Sequence, residues 1–212
     1  DSIIQGVKED LAVRKTQVSL AELKALVDEV PRALPAAELL HKNSFSVISE
    51  VKRASPSKGH LSDIPDPASL ALEYQTGGAQ VISVLTEERK FSGSLADLDA
   101  VRSKVSIPIL RKDFMVDDYQ IFESRAHGAD IVLLIVAALS DLQLSEFYAI
   151  AKSLGMQVLV ETHTLEEVER ALSLDPEIIG VNARDLTTLK IDLGAFDKLA
   201  KAIPAGKIKV AE

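Results

Sequence analysis

Cysteine is missing altogether from the 212 residues. That excludes disulfides and thiolate-held metals. Tryptophan is missing too, and aromatic residues make up only 4%. The formal charge is −8, and no basic or aromatic stripe interrupts that acidity, which argues against nucleic acid as a partner. The longest apolar run, Ile131 to Leu139, falls far short of the ~20 residues that span a bilayer. No membrane partner is therefore expected. The N-terminus lacks the basic and apolar segments of a signal peptide, and a cytoplasmic location is expected. His41, His60, His127 and His163 are scattered without ligand spacing, so no metal is expected. G-x-G-x-x-G, G-x-x-x-x-G-K-[ST] and H-E-x-x-H do not occur. What remains is 47% hydrophobic sequence, enough for one soluble domain with a sizeable core.

What is present is a repeated kind of strand end. The β-like run Phe45-Ser46-Val47-Ile48-Ser49 leads into Glu50-Val51-Lys52-Arg53-Ala54-Ser55-Pro56-Ser57-Lys58-Gly59. Side chains alternate along a strand, so Glu50 and Lys52 share a face and Val51 takes the other. Opposite charges at the end of an apolar strand are costly to bury unless they pair or do chemistry. Ser55 to Gly59 reads as a loop above a site. The pattern recurs. Ile107-Pro108-Ile109-Leu110 runs into Arg111-Lys112-Asp113-Phe114, and Gln157-Val158-Leu159-Val160 ends on Glu161. Glu177 to Val181 leads to Asn182 and Arg184 on one face, and Lys207 to Ala211 ends on Glu212. A single polar strand end is an accident, but this repetition predicts a ring of functional groups at one mouth. Arg53, Lys58, Glu87, Glu88, Arg89 and Lys90 read as a solvated rim around it.

Helical patterns separate these runs. Asp66 caps a helix with Pro67 in its first turn, and Gly77-Gly78 stops it. Further helices are predicted over Ser94 to Val105, Asp117 to His127, Ser140 to Leu154, Thr164 to Leu174 and Leu193 to Ile203. Strand onsets fall near 46, 80, 107, 130, 157, 178 and 207, each about one βα unit apart. Apolar strands alternating with amphipathic helices predict a parallel sheet. Seven regular units with polar C-terminal ends favour a (β/α)₈ barrel over an open sheet. The first 45 residues break the repeat: they read as short helices, too few to bury a core of their own. The expected organisation is a single domain over 1–212, with 1–45 a helical extension lying across the barrel and 46–212 carrying strands 1 to 7.

The chain resembles the indole-3-glycerol phosphate synthase family. The resemblance is carried by SEVKRASPSKG (49–59), SVLTEERKFSGS (83–94), IPILRKDF (107–114), ADIVLLIVA (129–137), VLVETHT (158–164), IIGVNARDLTTL (178–189) and KVAE (209–212). These segments stand in order over nearly the whole chain. The resemblance implies a (β/α)₈ barrel and a lyase of tryptophan biosynthesis that uses no cofactor and no metal. Its reaction closes the ring of 1-(2-carboxyphenylamino)-1-deoxyribulose 5-phosphate, with loss of carbon dioxide and water, to give indole-3-glycerol phosphate. The implied partner is that small phosphorylated molecule, and the full-length protein is expected to be a monomer.

By the same resemblance, Lys112 is the general acid of ring closure and Glu161 the acid/base of dehydration. Lys52 holds the carboxylate or a phosphate oxygen and is a second candidate proton donor beside Lys112. Glu50 and Glu212 orient the lysines and hydroxyls, and Asn182 is a hydrogen-bonding partner. Phe91, Phe114, Leu133 and Leu186 form walls for the aromatic ring, while Arg184 adds positive charge and Ser55 belongs to the loop above. The types suit the chemistry. An acidic protein must focus positive charge where an anionic substrate sits. An ammonium and a carboxylate held close can transfer protons both ways when burial tunes them.

Barrels of this class run to about 250 residues. The family continues past the position of Glu212 with a Ser-Gly pair, helix 7, strand 8 and helix 8, so the barrel is expected to be C-terminally incomplete as given. Two other readings keep the fold. One is another phosphate-handling barrel, such as phosphoribosylanthranilate isomerase or an aldolase with Lys112 as Schiff-base nucleophile. The other is a non-catalytic, truncated barrel.

Overall fold

A computed structural model describes residues 2–42, 45–184, 191–192 and 194–212. Three helices come first: α1 (Ser2–Gln17), α2 (Leu20–Glu29) and α3 (Ala36–His41). Strand β1 (Ile48–Val51) follows, then a short antiparallel hairpin, Ala54–Ser55 with Gly59–His60. From there strands and helices alternate: α4 (Pro67–Thr76), β2 (Val81–Leu85), α5 (Leu95–Arg102), β3 (Ile109–Lys112), α6 (Asp118–Ala126), β4 (Ile131–Ile135). A 3₁₀ turn at Val136–Ala138 leads to α7 (Asp141–Ser153), β5 (Gln157–Thr162), α8 (Leu165–Leu172), β6 (Ile178–Val181), α9 (Ala195–Leu199) and β7 (Ile208–Ala211).

The helix starts are set by side chains that accept the first free N–H groups. Asp66 accepts from Ala68 and Ser69 ahead of Pro67. Ser94, Asp117 and Thr164 do the same for α5, α6 and α8. Ser19–Glu22 and Ser140–Gln143 form reciprocal capping boxes. The predicted spans therefore hold to within a few residues. The exception is α9, which is shorter than the predicted Leu193 to Ile203, and Leu193 lies outside the described residues.

β1 to β7 form one parallel sheet paired in chain order. Alternation along each strand gives two apolar layers. Ile82, Val84, Ile109, Val132, Leu134, Val158 and Val160 face outward and pack with Leu98, Val101, Ile121, Leu144 and Phe147 of the helices. Val81, Leu110, Ile131, Leu133, Leu159 and Ile178 face inward. The sheet curls strongly. Lys112 at the end of β3 meets Glu212, which follows β7, across the intervening strands. This is (β/α)₈-barrel architecture, with seven strands among the described residues.

The N-terminal segment straps this barrel. Ala36 and Leu40 of α3 join the inward-facing cluster and plug the barrel floor. Leu11 of α1 and Leu23 pack with Tyr119 of α6. Ile3 and Ile4 of α1 reach the opposite end and line the mouth. Arg89, in the loop after β2, fixes α1 there by ion pairs to Glu9 and Asp10 at 2.7 and 2.6 Å.

Candidate active site

The strand ends converge on a cavity of about 630 Å³. Its charged and amide residues come from the ends of their strands or the loops after them, the position that a β/α barrel uses for chemistry. Glu50, Lys52, Lys112, Glu161, Asn182 and Arg184 line it, with Ser55, Phe91, Phe114 and Leu133. Glu212 stands behind Lys112, with its side chain 12% exposed. Leu186 lies outside the described residues.

Lys112 is the hub. Its Nζ pairs with Glu212 Oε2 and lies 3.6 Å from Glu161 Oε2. Burial alone would depress this lysine, but the charges of Glu212, Glu161 and Glu50 outweigh it and raise its pKa. Glu161 is 2% exposed. Burial pushes its carboxyl up, yet His163, Lys112 and Asn182 hold it down, to about 2. Asn182 Nδ2 donates to Glu161 Oε1 at 3.1 Å, and Asn182 Oδ1 accepts the Arg184 backbone N–H at 2.9 Å. Glu212 has the opposite fate. Burial first, then the neighbouring charges of Glu161 and Glu50, exceed the pull of Lys112 and raise it to about 7. The backbone leaves room for it only because residue 180 is glycine: a Cβ there would stand 2.3 Å from Glu212 Oε1.

Across the cavity, Lys52 Nζ pairs with Glu50 Oε1 at 2.5 Å, and Ser83 Oγ donates to Glu50 Oε2 at 3.0 Å. Ser83 sits opposite Glu50 in the β1–β2 register. The Phe91 and Phe114 rings lie 6.3 Å apart at 45°, a tilted pair that makes an apolar wall. The hairpin loop adds Pro56, Ser57 and Lys58 to the rim, and Gly59, at φ +64°, makes its turn.

Some of what builds the site escapes the sequence reading. Arg53 is not a solvated rim residue. It is partly buried, bridging Asp97 and the Ile64 carbonyl oxygen, and so ties the hairpin to α5. Glu87 is 3% exposed and accepts the N–H groups of Arg89, Lys90 and Phe91, fixing the loop that carries Phe91. His163 touches Glu161. Its spacing of two from Glu161 on a strand end was the available signal. Among the described residues, no group of three or more histidines and carboxylates is arranged to hold a metal.

The family described as indole-3-glycerol phosphate synthase matches residues 1–212. Relatives of that name are 58% identical in Paenarthrobacter aurescens, over all of this chain and 80% of theirs. In Rhodococcus jostii the identity is 58%, over all of this chain and 79% of the relative. In Streptomyces coelicolor it is 55%, with the same coverage of 100% and 79%. Among solved structures, KGPDC from Streptococcus mutans superposes with a TM-score of 0.52 at 16% identity, over 68% of this chain and 70% of its own. A native KDPGal structure does so at 0.52 and 15% identity, over 80% and 73%. At such identity the likeness concerns the fold alone. With strand-end acids and bases gathered in one mouth and a family match over its whole length, the chain belongs to the indole-3-glycerol phosphate synthase family, carboxy-lyases of tryptophan biosynthesis.

Proposed function

We propose that the cavity closes the indole ring of 1-(2-carboxyphenylamino)-1-deoxyribulose 5-phosphate with Lys112 as acid and Glu161 as acid/base. The observation that carries this is Lys112 lying between Glu161 and Glu212 at the inner wall of the mouth. The aromatic carbon bearing the carboxylate attacks the ketone, and Lys112 delivers a proton to the carbonyl oxygen as it becomes a hydroxyl. Carbon dioxide leaves and its bonding pair restores the aromatic ring. Glu161 then moves the protons that let the hydroxyl depart as water. Lys52 and Arg184 face the substrate's carboxylate and phosphate. Glu50 orients Lys52, Glu212 orients Lys112, and Asn182 holds Glu161. Phe91, Phe114 and Leu133 flank the aromatic ring, and Ser55 borders it from the hairpin. No cofactor or metal is assigned a part.

A Schiff-base reading is disfavoured by the same cluster. A nucleophilic lysine needs a depressed pKa, whereas the carboxylates around Lys112 raise it. We also propose a single barrel domain over 1–212, with 1–45 as its extension, working as a cytoplasmic monomer in the full-length protein. The strand ends of one parallel sheet gather at one mouth, which supports the single domain, and no helix among the described residues is long and apolar enough to cross a membrane. Indole fluorescence should grow when the substrate is added, against a background kept low by the absence of tryptophan. A preparation of confirmed fold that releases no indole product would overturn the reading.

A further inference from the structure

His163 is used by none of these steps, yet it is built into the site. It follows β5 two residues after Glu161, so the two side chains leave the strand on one side. Its side chain is 10% exposed. Nδ1 lies 3.0 Å from Glu167 Oε2, which also accepts the His163 backbone N–H at 2.8 Å. Nε2 lies 3.3 Å from Glu161 Oε1, an ion-pair contact that is off the line of a hydrogen bond and leaves Nε2 with no other partner among the described residues. Ionised carboxylates offer lone pairs only. A ring held between two of them is stabilised when both nitrogens carry hydrogen, which is the imidazolium form. Asn182 donates to the same Oε1, whereas Lys112 faces Oε2.

We propose that His163, kept as an imidazolium by Glu167, is a positioning residue for Glu161: its charge draws Oε1, which Asn182 also binds, and leaves Oε2 to exchange protons with substrate. The inference rests on the acid/base role given to Glu161 above. Burial disfavours a charged ring, but the close carboxylates of Glu161 and Glu167, the second of them hydrogen-bonded to Nδ1, outweigh it and raise His163 to about 9. The contact therefore persists at neutral pH. The carboxylates facing the ring are Glu161 on β5 and Glu167 on α8, with Lys112 and Asn182 beyond Glu161. Without the ring, Glu161 loses a neighbouring cation beside Oε1, so its pKa climbs.

Glu161→Gln is the control. If it keeps wild-type turnover, the acid/base reading falls and this inference falls with it. If it is inactive, His163→Ala should lower kcat by roughly ten- to a hundredfold, with KM changed less than about threefold. The acidic limb of the kcat–pH profile should move to higher pH. His163→Gln keeps a neutral donor and should restore part of kcat without restoring the limb. Glu167→Gln should shift the limb in the same direction with the ring in place. Nitrogen NMR of the His163 ring at pH 7.5 should show both nitrogens protonated. A neutral tautomer, or a His163→Ala variant with wild-type kcat and an unmoved limb beside an inactive Glu161→Gln, would overturn the proposal and leave the Glu161 reading standing. Should His163→Ala not fold, His163→Gln and the ring spectrum decide.

Discussion

Arg111 and Lys112 are neighbours on β3, and strand alternation sends them into opposite worlds. Arg111 points outward beneath α6 and is fully buried. Its Nε donates to Thr86 Oγ1 at 3.0 Å, and Nη2 donates to Asp113 at 3.1 Å. Nη1 meets Ser124 at 3.2 Å and Glu123 at 2.9 Å. Glu123 in turn takes Arg14 of α1 at 2.8 Å. Burial would raise Glu123, but Arg111 and Arg14 outweigh it and lower it. Donors and acceptors balance, and the cluster binds α1, α6 and β3 together. Lys112 points inward. Glu212, Glu161 and Glu50 all act on it, and Glu212 Oε1 has no hydrogen-bond donor among the described residues. A balanced buried network holds a structure together. An unbalanced one, open to a cavity, is poised to exchange protons.

The sharpest way to break this contrast is to remove each cation in turn. Lys112→Met should lower kcat by about 10²–10⁴-fold with little change in thermal stability. The stranded carboxylates sit beside a cavity, and Glu212 is already easy to protonate. Steady-state kinetics and a melting curve on one preparation check both halves. Arg111→Met should do the reverse. Removing one partner of a buried pair costs about 3–5 kcal/mol, read as a lowered denaturation midpoint, while the molecules that stay folded keep their turnover. Normal stability with lost activity in Arg111→Met would erase the distinction.

The inward half of this contrast was legible in the sequence. Polar residues closing apolar runs at Glu50, Lys52, Lys112, Glu161, Asn182 and Glu212 pointed to the mouth, and the expected strand onsets near 80, 107, 130 and 157 lie within two residues of the observed 81, 109, 131 and 157. The outward half was not. Arg111, Lys112 and Asp113 looked like one charged strand end, although alternation separates Arg111 and Asp113 from Lys112. Glu87 and Arg53 looked like rim because burial of a charge depends on partners far away in the chain, such as Asp97 for Arg53. The hairpin at Ala54–Ser55 and Gly59–His60 is too short to show a period.

Gly180→Ala probes the packing behind Lys112. The new Cβ would stand 2.3 Å from Glu212 Oε1 and 3.2 Å from Leu159 Cδ1, so the carboxylate must move off its present line to Lys112. A displacement of about 1 Å at a reacting group can cost ~10²-fold. The expected result is a fall in kcat up to that size, smaller than for Lys112→Met. A fall in stability with kcat intact would mean that Glu212 does not orient Lys112.

The last effect is a slope. Glu212 has its carboxyl raised from 4.5 to about 7 by burial and by Glu161 and Glu50. The folded protein therefore holds a proton that the unfolded chain releases near 4.5. Stability from that proton is fully present below about pH 4.5 and is lost as pH rises through about 7. Glu123 in the Arg111 cluster contributes no such slope in this window, because it is shifted the other way. Glu212→Gln removes the titrating group and keeps its shape. Its stability relative to wild type should increase between pH 4.5 and 7, by up to about 3 kcal/mol, and then level off. Urea titrations at half-unit pH steps would show it. A constant difference across the range would mean that Glu212 is ionised throughout, and that Lys112 is balanced by a full carboxylate pair.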